Sequence, residues 1–112
     1  MTPPQHADAA ELLVSFWPGM ALVRALGQVR FTLGACTGLR RVDLAAVGGW
    51  AAFGDFLAED NRLGAALAER RLRIRLSAQV ATLECDPLDW RDFWLHQRRV
   101  AITYRVSDPR GF

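Results

Sequence analysis

One stretch, Arg71 to Ser107, constrains this chain more than any other. It opens on an alternation in which Leu72, Ile74, Leu76, Ala78 and Val80 face one way and Arg73, Arg75, Ser77 and Gln79 the other. Asp86-Pro87 interrupts the run, a block holding Trp90, Phe93 and Trp94 follows, and a second alternation closes it. There Val100, Ile102, Tyr104 and Val106 oppose Ala101, Thr103, Arg105 and Ser107. Side chains repeat every two residues along a strand and about every 3.6 along a helix, so the pattern predicts strand, helix, strand.

The details of that stretch sharpen the expectation. Even positions are apolar up to Val80, whereas Leu83 and Cys85 are odd, a phase slip that predicts a β-bulge. Asp86 then reads as a helix cap, with Pro87 at the first helical position and Asp89 in the first turn. Arg98 and Arg99 would close this helix at the end that favours cations.

Upstream, residues 1–6 read as a frayed tail and Asp8 with Glu11 as the start of a helix carrying Ala9, Leu12, Leu13 and Phe16. Trp17-Pro18-Gly19 should stop it, and Met20–Leu26 should form a second short helix ended by Gly27. Gln28 to Ala35 alternates, with Val29, Phe31, Leu33 and Ala35 opposite Gln28, Arg30, Thr32 and Gly34, and predicts another strand. Thr37-Gly38 could turn it back through Leu39–Leu44 as a hairpin; the competing reading makes Asp43 the cap of a helix from Leu44. Gly48-Gly49 breaks the chain, Trp50–Asp60 has helical composition, and Arg62–Arg70 is a further helix with Leu63 and Leu67 on its core face, or one bent helix runs from Trp50 to Arg70. Gly64 should weaken that helix by about 1 kcal/mol relative to alanine.

The expected architecture is therefore α+β: a mostly antiparallel sheet of three or four strands, with helices packed on one face, in a single domain spanning 1–112. The strands 71–85 and 100–107 could instead pair in parallel through a crossover. The expected core comprises Leu12, Leu13, Phe16, Phe31, Leu33, Trp50, Leu57, Leu67, Ile74, Leu76, Trp90, Phe93, Ile102 and Tyr104. With 51% hydrophobic residues, the chain has enough apolar material for such a core without metals or disulfides.

Composition excludes some chemistry. All 14 basic residues are arginine, so there is neither a Schiff-base lysine nor a phosphate-loop lysine. Cys36 and Cys85 are too few for a disulfide framework and read as small buried hydrophobes in a reducing compartment. No signal peptide is visible in Met1–Ala10, and the uncharged run Leu12–Val23 is broken by Pro18-Gly19, so the expected location is cytoplasmic, with no membrane partner.

Candidate sites are few. If helices cover one face of the sheet, Arg30, Arg73, Arg75 and Arg105 gather on the other, beside Thr32, Ser77, Gln79, Thr103 and Ser107. No aromatic joins them, although sheets that bind single-stranded nucleic acid stack bases on aromatics. Arg98, Arg99, Trp90 and Trp94 are secondary candidates on the intervening helix. A Cys85–His96 dyad has no spacing that enforces contact, and Asp86, Asp89 and Asp92 spread around their helix. Neither a catalytic set, a metal site nor a cofactor is expected. Arg71-x-x-x-Arg75 followed by Asp108-Pro109-Arg110-Gly111 faintly resembles the PilZ family of cyclic-dinucleotide receptors, with Arg110 standing where that family has serine.

These features favour a small non-catalytic interaction module, an adaptor, regulator or assembly subunit that binds another protein chain, itself or a different one. Four tryptophans and all-arginine basicity are what interfaces enrich. The alternatives are a nucleic-acid-binding protein that contacts phosphates through the arginine face, and a small-ligand or enzymatic pocket between sheet and aromatic helices.

Overall fold

The computed structural model describes residues 1–27, 29–79, 81–82 and 84–107. Every regular element among them is a helix, and no strand forms, which overturns the expected α+β sheet. The chain divides into two compact units, Met1–Gln28 with Thr82–Phe112, and Val29–Ala81.

In the first unit, α1 spans Pro3–Glu11, so the expected frayed tail is instead a helix start. Thr2 and Gln5 cap it reciprocally: the Thr2 N–H donates to Gln5 Oε1 at 2.6 Å, and Thr2 Oγ1 accepts from the Gln5 N–H. Pro3 and Pro4 sit where a missing N–H costs nothing. Thr2 Oγ1 also donates to the Leu88 carbonyl at 2.7 Å, and Gln5 Nε2 to that of Asp86 at 3.1 Å.

The expected stop at Trp17-Pro18-Gly19 is a change of pitch. A π-helical turn, Leu12–Phe16, leads into α2, Trp17–Ala25, and the Trp17 N–H reaches back to the Leu12 carbonyl. This wider turn lets Pro18, which has no N–H to give, enter at the beginning of α2. Gly27 ends the helix as expected, at φ +66°.

The last helix, α5, runs Trp90–Ser107 and absorbs the expected strand Val100–Ser107. No glycine or proline interrupts it. Its less exposed positions, Phe93, His96, Gln97, Val100, Thr103 and Ser107, recur at helical spacing. The two-residue alternation of 100–107 is thus incidental. The cap is Asp89, not Asp86: Asp89 Oδ1 accepts from the Asp92 N–H at 2.8 Å and its carbonyl from the Phe93 N–H at 3.0 Å. Gln97 Nε2 donates to Asp8 Oδ1 at 3.2 Å, tying α5 to α1.

In the second unit, α3 spans Arg41–Ala46, so the Leu39–Leu44 hairpin arm is corrected to a helix. Its first turn carries Asp43, held to Arg40 by a 2.7 Å ion pair. Gly48 and Gly49 take positive φ, a 3₁₀ turn covers Trp50–Ala52, and α4 spans Glu59–Glu69. The predicted helix over Trp50–Asp60 is otherwise irregular. Arg71, at φ +60°, terminates α4.

Phe53, Leu63 and Leu67 form the buried cluster, with Leu39, Leu44, Val47, Ala66, Leu72 and Ile74 packed around it. The alternation of 71–77 does set burial: Leu72, Ile74 and Leu76 are half-buried, while Arg71, Arg73, Arg75 and Ser77 are exposed. What is missing is a ladder. Leu72 and Ile74 are held by helix side chains, so the inward face is satisfied without a neighbouring strand. Val80 and Leu83, which carry the predicted bulge, and Gln28 at the start of the predicted first strand lie outside the described residues.

The core is smaller than expected. Leu67 and Phe93 are buried, and Phe16, Phe31, Leu33, Ile74 and Leu76 are half-buried. Leu12, Leu13, Trp50, Leu57, Trp90, Ile102 and Tyr104 are exposed. Both cysteines are free and exposed, against the expectation that they are buried. No helix among the described residues is long and apolar enough to cross a membrane.

Candidate active site

The most tightly organised polar group of the second unit is Asp60, in the first turn of α4. An acidic residue is favoured there by the helix dipole. Its carbonyl accepts from both the N–H and Oγ1 of Thr32, at 3.2 and 2.8 Å. Its carboxylate accepts from the Gly34 N–H through Oδ2 at 3.2 Å and from the Asn61 N–H through Oδ1 at 2.7 Å. Thr32 is buried, and its hydroxyl is satisfied by this contact. The segment 31–34 is therefore stitched to the start of α4, and the carboxylate is fixed in direction by main-chain donors.

Two glycines permit this approach. A Cβ on Gly34 would meet Asp60 Oδ2 at 3.3 Å. A Cβ on Gly64 would lie 2.1 Å from Phe31 Cα, so only glycine allows α4 to lie against that segment. By intrinsic propensity Gly64 weakens α4; in the fold it is a requirement.

Just before Asp60, an open depression is lined by Trp50, Phe53, Gly54, Phe56 and Glu59. Phe53 is buried, whereas Trp50 and Phe56 are exposed. The Arg62 guanidinium lies 4.7 Å from the centre of the Phe56 ring and braces it.

The residues singled out by sequence fall elsewhere. Arg73 and Arg75 are exposed on one side of the 72–76 segment, and Arg30 is exposed in the same unit. Arg105 belongs to α5, in the other unit, so the shared sheet face does not exist. Arg98 and Arg99 lie mid-helix rather than at its end, and an Arg99 Nη2 approaches His96 Nδ1 at 3.3 Å. Trp90 and Trp94, the secondary candidates, are exposed, each edge-on to Phe93, and Trp90 is thus outside the core expected to hold it. Asp108-Pro109-Arg110-Gly111 lies outside the described residues. No group of metal-ligating side chains forms among the described residues.

Asp60 was missed because it read as the last residue of an aromatic helix. The available signal was Glu59-Asp60 ahead of Gly64, in a helix whose glycine had no local explanation.

The model of glycosyl transferase family 21 matches residues 5–112. No curated protein and no solved structure matches the chain. The family match overturns the expected non-catalytic, protein-binding adaptor, and it supports neither nucleic-acid binding nor the PilZ resemblance. A pocket between sheet and helices falls with the sheet itself. With the match covering all but the first four residues, this chain belongs to glycosyl transferase family 21.

Proposed function

We propose that the chain contributes to the catalytic centre of a glycosyl-transferring enzyme, with Asp60 as the base that activates the acceptor. Transfer requires an acceptor hydroxyl to lose its proton as its oxygen bonds to the anomeric carbon of an activated sugar. The bond to the leaving group breaks, and that group departs with the electron pair. A carboxylate oriented beforehand suits the proton-accepting role, because it need not be ordered at the moment of reaction. The observation that carries this reading is the pairing of both Asp60 oxygens with main-chain N–H groups, in a chain of this family.

Arg30, Arg73 and Arg75 are the proposed cations for an anionic leaving group, supported by their exposure within the same unit. The proposed compartment is the cytoplasm, which the two exposed free cysteines favour.

The test is transfer itself. Purified protein is incubated with sugar nucleotides and hydroxyl-bearing acceptors, wild type beside Asp60→Asn. Turnover by wild type alone supports the reading. Equal turnover by both removes Asp60 from the role, and no turnover with any donor removes the transfer activity.

A further inference from the structure

We propose that residues 72–77 take up an extended acidic strand of a partner protein, which pairs with the main chain of Arg73 and Arg75. Three observations carry it. Exposure alternates residue by residue: Leu72, Ile74 and Leu76 are half-buried, whereas Arg73, Arg75 and Ser77 are exposed, which is the period of an extended chain. The inner side is already seated, with Leu72 and Ile74 packed against Phe53, Leu63 and Leu67. Yet no main-chain N–H or carbonyl of residues 73–76 has a hydrogen-bond partner among the described residues. The Leu72 N–H, by contrast, donates to the Leu67 carbonyl at 3.1 Å. Main-chain groups of an extended chain point to alternate edges, so those of Arg73 and Arg75 lie on the edge away from this contact. A two-stranded ladder is marginal in water unless a helix backs it, and α4 supplies that backing through Leu63 and Leu67.

Charge selects the occupant. Arg70, Arg71, Arg73 and Arg75 are all exposed, and no acidic residue stands between Glu69 and Glu84. An added strand sets its side chains opposite those of residues 72–77. Carboxylates at every second position then meet Arg73 and Arg75, and apolar residues between them extend the cover over Leu72 and Ile74. A second copy of this segment would set arginine opposite arginine, which destabilises a strand pair. A small anion meets the guanidinium groups but leaves the main chain unpaired. Because Arg73 and Arg75 are also the cations proposed for the leaving group, a seated strand and a donor exclude one another. The binding test is therefore run without donor, and its outcome does not depend on Asp60.

The probe is a synthetic peptide, blocked at both ends, that alternates glutamate with valine. It is titrated into the isotopically labelled chain, and amide hydrogen exchange is followed by NMR. Saturable binding is expected, with exchange at Arg73 and Arg75 slowed roughly tenfold or more while Ile74 and Leu76 are unaffected. Methylating the peptide's main-chain nitrogens keeps its charge but removes its donors, and should weaken binding roughly tenfold. Arg73→Ala with Arg75→Ala should weaken it several-fold, and less so at high salt. No binding, equal binding by the methylated peptide or by one that alternates lysine with valine, or the same protection from inorganic diphosphate overturns the proposal. So does protection of these amides in the chain alone as its concentration rises, which would make a second copy the occupant.

Discussion

Replacing Gly64 by alanine should destabilise the second unit, although alanine is the better helix former. Intrinsic propensity favours alanine by about 1 kcal/mol. Against this, the new Cβ would stand 2.1 Å from Phe31 Cα, 2.4 Å from its carbonyl carbon and 2.7 Å from its nitrogen. Ordinary contact begins at 3.4 Å, so the Phe31 backbone must retreat by 3.4 − 2.1 = 1.3 Å. All three are main-chain atoms, and no rotamer change can relieve the clash. Retreat pulls the neighbouring Thr32 and Gly34 away from Asp60, breaking the contacts now at 2.8 and 3.2 Å. Each such hydrogen bond contributes about 0.5–1.5 kcal/mol, and overpacking strain that is not relieved costs about 1–3 kcal/mol. Since movement trades one cost for the other, they are not summed. Because the main chain must move, the three lost hydrogen bonds set the cost, and after the propensity gain is subtracted the net loss is about 0.5–3.5 kcal/mol. In urea this lowers the unfolding midpoint by about 1 M at an unchanged slope. A variant as stable as wild type, or more stable, would refute the close approach of α4 to Phe31.

Other substitutions probe the remaining parts. Leu67→Ala removes a buried side chain from the Phe53–Leu63–Leu67 cluster and should cost about 2–5 kcal/mol in the same denaturation assay; under 1 kcal/mol would mean that the cluster does not hold the unit together. Arg73→Ala with Arg75→Ala should leave stability unchanged, because both are exposed, and raise KM for an anionic donor several-fold, less so at high salt; an unaltered KM removes them from donor binding. Trp50→Ala should leave stability within about 0.5 kcal/mol of wild type, since the side chain is exposed; a large loss would mean that Trp50 packs into the unit.

What could be read from the residues depended on whether the deciding interaction was local. Leu63 and Leu67 sit four apart on one helix, and Gly27 follows the last helical residue, so neighbours along the chain settle both. The alternation of Leu72, Ile74 and Leu76 correctly marks an inner and an outer side. Whether that becomes a strand depends on a partner with free N–H and C=O groups, which alternation does not specify. Val100–Ser107 fits two periods at once; the absence of a breaker after Pro87 and the packing of Phe93, His96 and Val100 decided for the helix. Pro18 stands in a helix because a π turn precedes it, an accommodation with no mark in the residue pattern. Asp60 was least legible of all. Its partners Thr32 and Gly34 lie 28 and 26 residues away, so its role exists only after folding.

The most direct measurement is kcat and KM for glycosyl transfer by Asp60→Asn beside wild type, with the unfolding midpoint recorded for both. Asparagine keeps the size and one acceptor oxygen, but its NH2 group can neither take the acceptor's proton nor accept the second main-chain N–H. The expected result is a fall in kcat of about 10²–10⁴-fold, with KM little changed and stability lowered by only about 0.5–1.5 kcal/mol for the one lost hydrogen bond. A kcat within a few-fold of wild type, or a loss that follows only from unfolding, would contradict the assignment of Asp60 as the base.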